Sequence, residues 1–316
     1  MRPYYYSLDE YNKEVFGKKL YKLSIPGGFT CPNRDGTIGT GGCIFCSEGG
    51  SGEFTPEEML SVPEQLEQAK QRILQKFRPS EDGEDYIAYF QSFTATYGDL
   101  QRMRERFHAA ADWPQTAVVD IATRPDCLQE GVLDLLAEIR KKKQVWVELG
   151  LQTASEETAR LIHRGYTNEV YLQAVRRLHA LDIPVVAHVI LGLPGESRED
   201  VLRTIRFINT TGTDGVKLQL LHVLQGTALA QTDYTPLTME AYIDLVLDCL
   251  SHMRKDIVVH RLTGDGDKRL LIAPLWSADK KRVRNALHRA MREREIIQGN
   301  LVADVDKTDA LFYYNT

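Results

Sequence analysis

The stretch CPNRDGTIGTGGCIFC, residues 31–46, holds three of the five cysteines in the chain. The other two, Cys127 and Cys249, lie far away in sequence, and the first histidine is His108. Thiolates gathered in one loop indicate a metal site. A closed structural zinc site has four protein ligands, so three cysteines favour an iron–sulfur cluster with one iron open to a small molecule. A zinc knuckle completed by a distant residue and reduced cysteines in a turn remain the alternatives.

The length of 316 residues and the hydrophobic content of 43% fit one large α/β domain with additions at its ends. No stretch has the roughly 18 consecutive apolar residues of a membrane span, and the start of the chain has no apolar signal segment. We therefore expect no membrane association and a cytoplasmic location, where clustered thiols more often bind metal than form disulfides. The net charge of −5 gives no overall attraction to nucleic acid, so such binding needs a local basic patch.

Strand and helix patterns alternate along residues 20–235, with the cysteine loop after the first strand. Such alternation predicts right-handed βαβ units and a parallel sheet, and six units favour a partial (β/α)6 barrel. A helical segment within residues 1–19 precedes the barrel, and an α+β extension over residues 236–316 follows it. The predicted strands cover residues 20–25, 85–91, 116–125, 144–153, 184–195 and 215–223; the predicted helices cover 55–77, 99–111, 128–143, a segment from 155, 168–181 and 197–210.

Polar residues recur at every second position of otherwise apolar strands. Side chains alternate between the two faces of a strand, so these residues share one face while their apolar neighbours pack on helices. An interior with this many polar groups predicts a ligand-lined cavity, with its chemistry at the carboxyl ends of the strands. The residues predicted on this face are Asp120, Arg124, Glu148, Gln152, His188, Lys217 and Gln219.

Three further stretches accompany Cys43-Ile44-Phe45-Cys46, namely VELGLQT at 147–153, HRGYT at 163–167 and LGLPGE at 191–196. With these motifs in this order, the chain resembles the radical S-adenosylmethionine (SAM) superfamily, and within it the YtqA/YhcC subgroup near the Elp3-like branch. The first two cysteines are separated by eleven residues, where the usual form of the superfamily has three. The longer gap is the normal form of the subgroup.

The resemblance implies a [4Fe-4S] cluster held by Cys31, Cys43 and Cys46, with SAM chelating the fourth iron. Phe45 resembles the aromatic residue that lies against adenine, although an ordinary core phenylalanine fits equally well. Many relatives carry Gly-Gly-Glu after the second strand to bind the SAM amino group. Here the run is Gln-Ser-Phe-Thr, so Ser92, Thr94 or backbone carbonyls would replace the carboxylate.

The fourth strand and the turn after it supply the remaining implied SAM contacts. Glu148 resembles the acid that accepts the ribose hydroxyls, and two acceptor oxygens suit two adjacent hydroxyl donors. Gln152 and Arg164 resemble a pair that contacts the ribose and the methionine carboxylate; the alternative for Arg164 is a surface ion pair. His188 stands where several relatives have aspartate, so it contacts ribose, faces the substrate or is a satisfied interior residue.

The two remaining cysteines call for a separate interpretation. Cys127 follows Arg-Pro-Asp, where a helix start and Arg124 would lower its pKa; the alternative is a buried structural cysteine, which packs as a small hydrophobe. Cys249 lies on the apolar face of a predicted helix and is expected in the core.

In the extension we predict a helix at 237–254, a strand at 256–262 and a basic helix from near Ser277. Nine Lys or Arg residues lie between Lys268 and Arg294, which indicates a surface for a polyanion or, alternatively, a solvated helix face. The resemblance implies tRNA as the partner, because the subgroup is linked to conversion of the wobble uridine side chain from carboxymethylaminomethyl toward aminomethyl. It also implies an external flavodoxin- or ferredoxin-like electron donor.

Two other functions remain open from the sequence. A radical SAM enzyme of this type could instead act on a small metabolite or a peptide. The cluster could also belong to a sensor or electron-transfer module that binds no nucleotide, but such a module has no need of the polar interior positions Glu148, Gln152 and Lys217.

Overall fold

A computed structural model describes residues 4–50, 55–75, 86–264 and 266–302. Within these ranges the α-helices are α1 (Leu8–Phe16), α2 (Val62–Leu74), α3 (Leu100–Asp112), α4 (Glu130–Arg140), α5 (Glu156–Leu161), α6 (Asn168–His179), α7 (Arg198–Thr210), α8 (Met239–His252) and α9 (Lys280–Glu293). The strands are β1 (Tyr21–Pro26), β2 (Tyr86–Gln91), β3 (Thr116–Thr123), β4 (Gln144–Gln152), β5 (Val185–Leu191), β6 (Gly215–Leu220), β7 (Val223–Leu224), β8 (Val258–Arg261) and β9 (Leu271–Ala273).

Seven strands form one sheet in the order β1-β2-β3-β4-β5-β6-β8. The pairs β1–β2, β2–β3, β3–β4 and β6–β8 are parallel, and β7 and β9 form a separate antiparallel pair. The prediction of an α/β fold with a parallel partial barrel is confirmed. The six predicted strands are joined by a seventh, β8, which comes from the extension and pairs with β6 through Gly215–Val258 and Val216–Val259.

Side-chain caps fix where several helices begin. The hydroxyl of Ser197 accepts from the backbone N–H of Asp200, and Asp99 accepts from that of Arg102, so α7 and α3 begin next to their predicted starts. The predicted helix over 55–77 is wrong at its start. Ser61 and Glu64 form a capping box that begins α2 at Val62, and residue 77 lies outside the described residues.

The chain divides into two compact units. The first unit comprises Asp9–Gly150 and His163–Val186, and its core includes the fully buried Leu23 and Ile25 of β1, against which α2 packs. The second unit comprises Met1–Leu8, Leu151–Ile162 and Ala187–Thr316.

Within the second unit, α8 packs on α7 and α9, and β6 pairs with β8. The apolar face of α9 buries Val283, Leu287 and Met291. Among the described helices, none combines the length and apolar content needed to cross a membrane.

Candidate functional site

The cysteine loop follows β1 directly and contains a small hairpin. Asp35 and Thr40 form an isolated antiparallel bridge, and the N–H of Gly42 donates to the carbonyl of Asn33 at 2.8 Å. The Gly42–Asn33 hydrogen bond joins the two residues that flank the hairpin of residues 34–41. Leaving out those eight residues leaves three between Cys31 and Cys43, so the long spacing contains the short spacing plus an inserted hairpin.

Cys31, Cys43 and Cys46 are half-buried, and within the described part of the chain they form no disulfide. The Cys43 thiol donates to the carbonyl of His163 at 3.5 Å and the Cys46 thiol to that of Ser47 at 3.7 Å. Burial raises the pKa of Cys43 to about 12, the proximity of Cys46 adds to the rise, and Arg124 opposes it. The Cys43 thiol is therefore protonated at neutral pH, and a metal must displace its proton to bind.

Among the described residues, no three Cys, His, Asp or Glu side chains are arranged to hold a metal ion. Cys43 and Cys46 each direct the S–H to a backbone carbonyl. Fe–S bonds would replace these weak contacts.

The run after β2 has an unusual backbone conformation. Ser92 and Phe93 have φ values of 79° and 52°, so two consecutive residues with side chains occupy the left-handed region that favours glycine. Glycine adopts this conformation without the strain that a side chain brings. The N–H groups of Phe93 and Thr94 donate to the carbonyls of Gly50 and Thr30, so the run lies against both ends of the cysteine loop. Ser92 is half-buried and Thr94 is buried.

A buried charge cluster joins β1, β3 and β4. Lys22 Nζ lies 2.5 Å from Asp120 Oδ2 and 2.7 Å from Glu148 Oε1, and it stacks over the ring of Tyr89 at 4.7 Å. Both carboxylates are fully buried, whereas 19% of the Lys22 side chain is exposed. Burial acts to lower the pKa of Lys22, but the two carboxylates outweigh it, and the net effect raises the pKa.

The cluster confirms that Asp120 and Glu148 face the same side of the sheet. Sequence reasoning missed Lys22. The sequence did contain a signal for this residue. Lys22 is the one cation in the first strand, and the third and fourth strands each carry one carboxylate.

Arg124 lies just beyond the end of β3. Its Nε and Nη2 donate to the two carboxylate oxygens of Asp126 at 3.0 and 2.8 Å, and its Nη1 donates to the carbonyl of Arg164 at 3.0 Å. The guanidinium also stacks over the ring of Tyr166 at 4.8 Å. The bidentate pair fixes the plane of the guanidinium.

Cys127 ends a short 3-10 turn, Pro125–Cys127, rather than beginning a helix. The expectation of a lowered pKa is wrong. Burial raises the pKa of Cys127 to about 12, and the charge of Asp126 raises it further, which together outweigh the opposing effect of Arg124. The alternative of a buried structural cysteine is confirmed, and Cys249 is also buried, on α8.

Arg164 is fully buried, so it is not a surface ion pair. Its Nε donates to the carbonyl of Tyr166 at 2.9 Å and its Nη1 to the side chain of Asn168 at 3.0 Å. The turn that carries it has His163 at φ 56° and Gly165 at φ 85°. The side chain is therefore held by its own turn.

Gln152 is the last residue of β4 and has a φ of 66°. Its Oε1 is buried, and within the described part of the chain it has no hydrogen-bond partner. A buried acceptor without a donor costs free energy unless a ligand supplies the donor. His188, on β5, and Phe45, in the cysteine loop, are both half-buried. Lys217, on β6, is buried.

Glu196 follows β5 in the loop LGLPGE, and its carboxylate accepts a hydrogen bond from Thr153. Burial raises its pKa to about 7, against the opposing effect of the Thr153 hydroxyl and with a further rise from Asp200. Thr153 also contacts Thr204, whose hydroxyl accepts from the N–H of Ala154. The acid therefore fixes the loop after β4 to the loop after β5 within the second unit.

Comparison with protein-family models gives two matches. The radical SAM superfamily model matches residues 33–208, and the radical SAM C-terminal domain model matches residues 213–293. The chain is 38% identical over 312 residues to YtqA of Bacillus subtilis, covering 97% of this chain and 95% of that protein. It is 34% identical over 270 residues to YhcC of Escherichia coli, covering 84% and 85%.

Among solved structures, an Elp3 of Methanocaldococcus infernus with an N-terminal deletion superposes with a TM-score of 0.65. The match covers 88% of this chain and 64% of that chain at 17% identity, so it establishes the fold alone. The two family models and the two relatives together show that the chain belongs to the radical SAM superfamily, in the family of YtqA and YhcC.

Proposed function

We propose that this chain is a radical SAM enzyme that acts on the wobble uridine of tRNA and converts its carboxymethylaminomethyl side chain toward aminomethyl. Proteins of the superfamily use a [4Fe-4S] cluster and SAM. Membership implies SAM-dependent radical chemistry for this chain, and the uridine substrate is the further step proposed here.

The loop 31–46 fits a three-cysteine cluster. Its three cysteines are half-buried and form no disulfide among the described residues, and the Asn33–Gly42 bond brings the distant halves of the loop together. We assign Cys31, Cys43 and Cys46 as the ligands, which leaves one iron for SAM. When bound, the cluster supplies the electron that cleaves SAM and gives the 5'-deoxyadenosyl radical.

Gln152 gives the independent support for a nucleotide ligand. Its buried Oε1 lacks a donor among the described residues, and a ribose hydroxyl would provide one. Glu148, on the same strand, is proposed to accept the ribose hydroxyls while Lys22 keeps its charge balanced. Phe45 is proposed to lie against the adenine.

The remaining proposed contacts are with the methionine part of SAM. Ser92 is half-buried next to the cysteine loop and suits the amino group better than the buried Thr94. Arg164 is proposed to bind the carboxylate, for which it would exchange one of its present contacts with Tyr166 or Asn168. His188 is proposed to contact ribose or substrate.

The observation that supports tRNA as the substrate is the row of exposed cations on the outer face of α9. This helix buries only apolar side chains, whereas its basic residues are exposed. A row of cations on a rigid helix suits contacts with phosphates, which position nucleic acid without reading its sequence. The exposed basic residues are Lys280, Lys281, Arg282, Arg284, Arg289 and Arg292.

The binding test changes Lys280, Lys281, Arg282 and Arg284 together to Ala. We expect weaker tRNA binding, with the loss shrinking as salt rises, and unchanged formation of 5'-deoxyadenosine with dithionite in the absence of tRNA. The control changes residues 141–143, the Lys-Lys-Lys run after α4, to Ala. Equal loss in both variants would indicate a general charge effect and not a surface on α9.

The direct test is mass spectrometry of tRNA nucleosides from cells with and without the protein. We expect loss of the protein to raise the ratio of carboxymethylaminomethyl uridines to aminomethyl and methylaminomethyl uridines. An unchanged ratio would reject the tRNA substrate and leave radical chemistry on a small metabolite or a peptide.

A further inference from the structure

The side-chain amide of Asn33 makes two contacts at the edge of the cysteine loop. Its Nδ2 lies 2.5 Å from the carbonyl oxygen of His163 and 3.6 Å from Cys43 Sγ. Asn33 is 5% exposed. A carbonyl oxygen only accepts, so the amide must direct its NH2 group toward this pair of atoms. A buried donor therefore points at the sulfur of one proposed cluster ligand.

The same carbonyl, that of His163, also accepts from the Cys43 thiol at 3.5 Å. The next carbonyl along the chain, that of Arg164, accepts from Arg124 Nη1 at 3.0 Å. Two buried donors, Asn33 and Arg124, thus hold two successive carbonyls of one turn. Asn33 and Cys43 therefore tie the turn to the cysteine loop, and Arg124 ties it to the segment after β3.

The space around Asn33 is closely filled. A Cβ added to Gly39 would come within 3.1 Å of Asn33 Oδ1, and one added to Gly165 would come within 3.4 Å of the same atom. The added Cβ on Gly165 would also come within 3.2 Å of Arg124 Nη2. A side chain at Gly39 would therefore crowd the oxygen of the Asn33 amide, and one at Gly165 would touch it.

The geometry points to Asn33 as the positioning residue that donates a hydrogen bond to the Cys43 thiolate and thereby raises the reduction potential of the cluster. This inference rests on the proposed role of Cys43 as a ligand. Once Cys43 binds iron it has no proton to donate, and the Asn33 amide becomes the donor to its sulfur. A donor to a cluster sulfur favours the reduced, more negative state, so its loss lowers the potential.

The test compares the potentials of the anaerobically reconstituted full-length wild type and Asn33→Asp. The variant keeps the size of the side chain, replaces the donor with an acceptor and adds negative charge near the sulfur. We expect the equilibrium constant for reduction to fall about tenfold or more, which is about 59 mV for a one-electron couple. Iron content should stay at the wild-type level.

Asn209→Asp is the matched control, because the Asn209 amide also donates to a backbone carbonyl, that of His252, at 2.8 Å. We expect this variant to keep the wild-type potential. An equal potential in wild type and Asn33→Asp, at equal iron content, would overturn the inference while leaving the proposed cluster in place. A wild type that takes up no cluster would overturn the proposed function and this inference with it.

A second measurement covers the case in which Asn33→Asp fails to fold or to keep its cluster. Wild-type protein carrying 15N only in asparagine side-chain amides is reduced and studied by pulsed electron paramagnetic resonance. We expect a coupling from one amide nitrogen to the cluster spin, transmitted through the N–H···S bond. Absence of that coupling would overturn the inference.

Discussion

Lys22 Nζ lies 2.7 Å from Glu148 Oε1, and the two side chains form an ion pair in the interior of the first unit. Asp120 joins the same ammonium at 2.5 Å. The carboxylate proposed to hold the ribose hydroxyls is therefore paired with a cation from another strand. Under the proposed assignment of Glu148, folding and nucleotide binding depend on the same charge cluster.

Replacing Lys22 with Met should destabilise the fold strongly. The change leaves Asp120 and Glu148 buried without their shared cation, and loss of one partner from a buried pair costs about 3–5 kcal/mol. Chemical denaturation monitored by circular dichroism measures the free energy of unfolding. Lys13→Met removes an exposed pair with Asp9 and should leave stability nearly unchanged; a similar loss in both variants would contradict a buried role for Lys22.

Changing Glu148 to Gln should weaken SAM binding without loss of the cluster. One charge-assisted hydrogen bond contributes about 1.5–3 kcal/mol, so the affinity should fall about ten- to a hundredfold. Isothermal titration calorimetry of the reconstituted protein measures it, with Glu138→Gln as the control because Glu138 pairs with Arg104 at the surface. Unchanged affinity in Glu148→Gln would place the ribose elsewhere.

Substitution of each loop cysteine should reveal the ligand set. Cys31→Ala, Cys43→Ala and Cys46→Ala should each lose the [4Fe-4S] cluster, because each removes one of the three proposed ligands. Cys127→Ala should retain it, since Cys127 is buried in the 3-10 turn after β3 and lies outside the cysteine loop. Iron analysis and electron paramagnetic resonance of the reduced protein give the result. Loss of the cluster in Cys127→Ala would instead indicate four protein ligands.

The contribution of Glu196 to the free energy of unfolding should fall as the pH rises from 4.5 to about 7. Burial raises its folded-state pKa to about 7 from 4.5, so the unfolded chain loses this proton first. Its stabilising contribution is complete below pH 4.5, declines through the window up to about pH 7 and is absent above it. Glu196→Gln cannot ionise, and its stability relative to wild type should rise by up to about 3 kcal/mol across that window.

Denaturation curves at several pH values check this expectation. Glu199→Gln serves as the control, because Glu199 is exposed and the hydrogen bond from Arg206 lowers its pKa. That variant should keep the wild-type slope. Parallel stability profiles for wild type and Glu196→Gln would contradict a buried carboxyl group at this position.

Most strands of the sheet could be predicted from the sequence, because the alternation of apolar and polar residues within each strand shows which side chains are buried. Alternation placed Asp120 and Glu148 on one face, and the structure confirms it through their common partner. The starts of α3 and α7 could be predicted in the same way, because the capping residues Asp99 and Ser197 lie next to the helices that they begin. The start of α2 was missed because apolar spacing alone does not show where a helix begins, whereas the Ser61–Glu64 capping box does.

Features that depend on distant partners could not be predicted in the same way. The sequence predicted a strand at 256–262 but contained no information on its neighbour, which is β6. The pKa of Cys127 was expected to fall because the cation beside it was visible in the sequence, whereas the burial that outweighs this cation was not. The Lys22 pairs join residues about a hundred positions apart along the chain.

The position of β8 determines which parts of the C-terminal extension can vary without disrupting the sheet. The strand covers the edge of β6, and its residue Val259 is also bridged by Ser7, so the extension is built into the sheet of the second unit. Removing it would expose the edge of β6 to pairing with other chains. The outer face of α9 can accept substitutions without disturbing that edge. If α9 faces the target as proposed, a new target surface can arise by exchange of exposed residues on this one helix, whereas swapping the whole extension as an independent module would break the sheet.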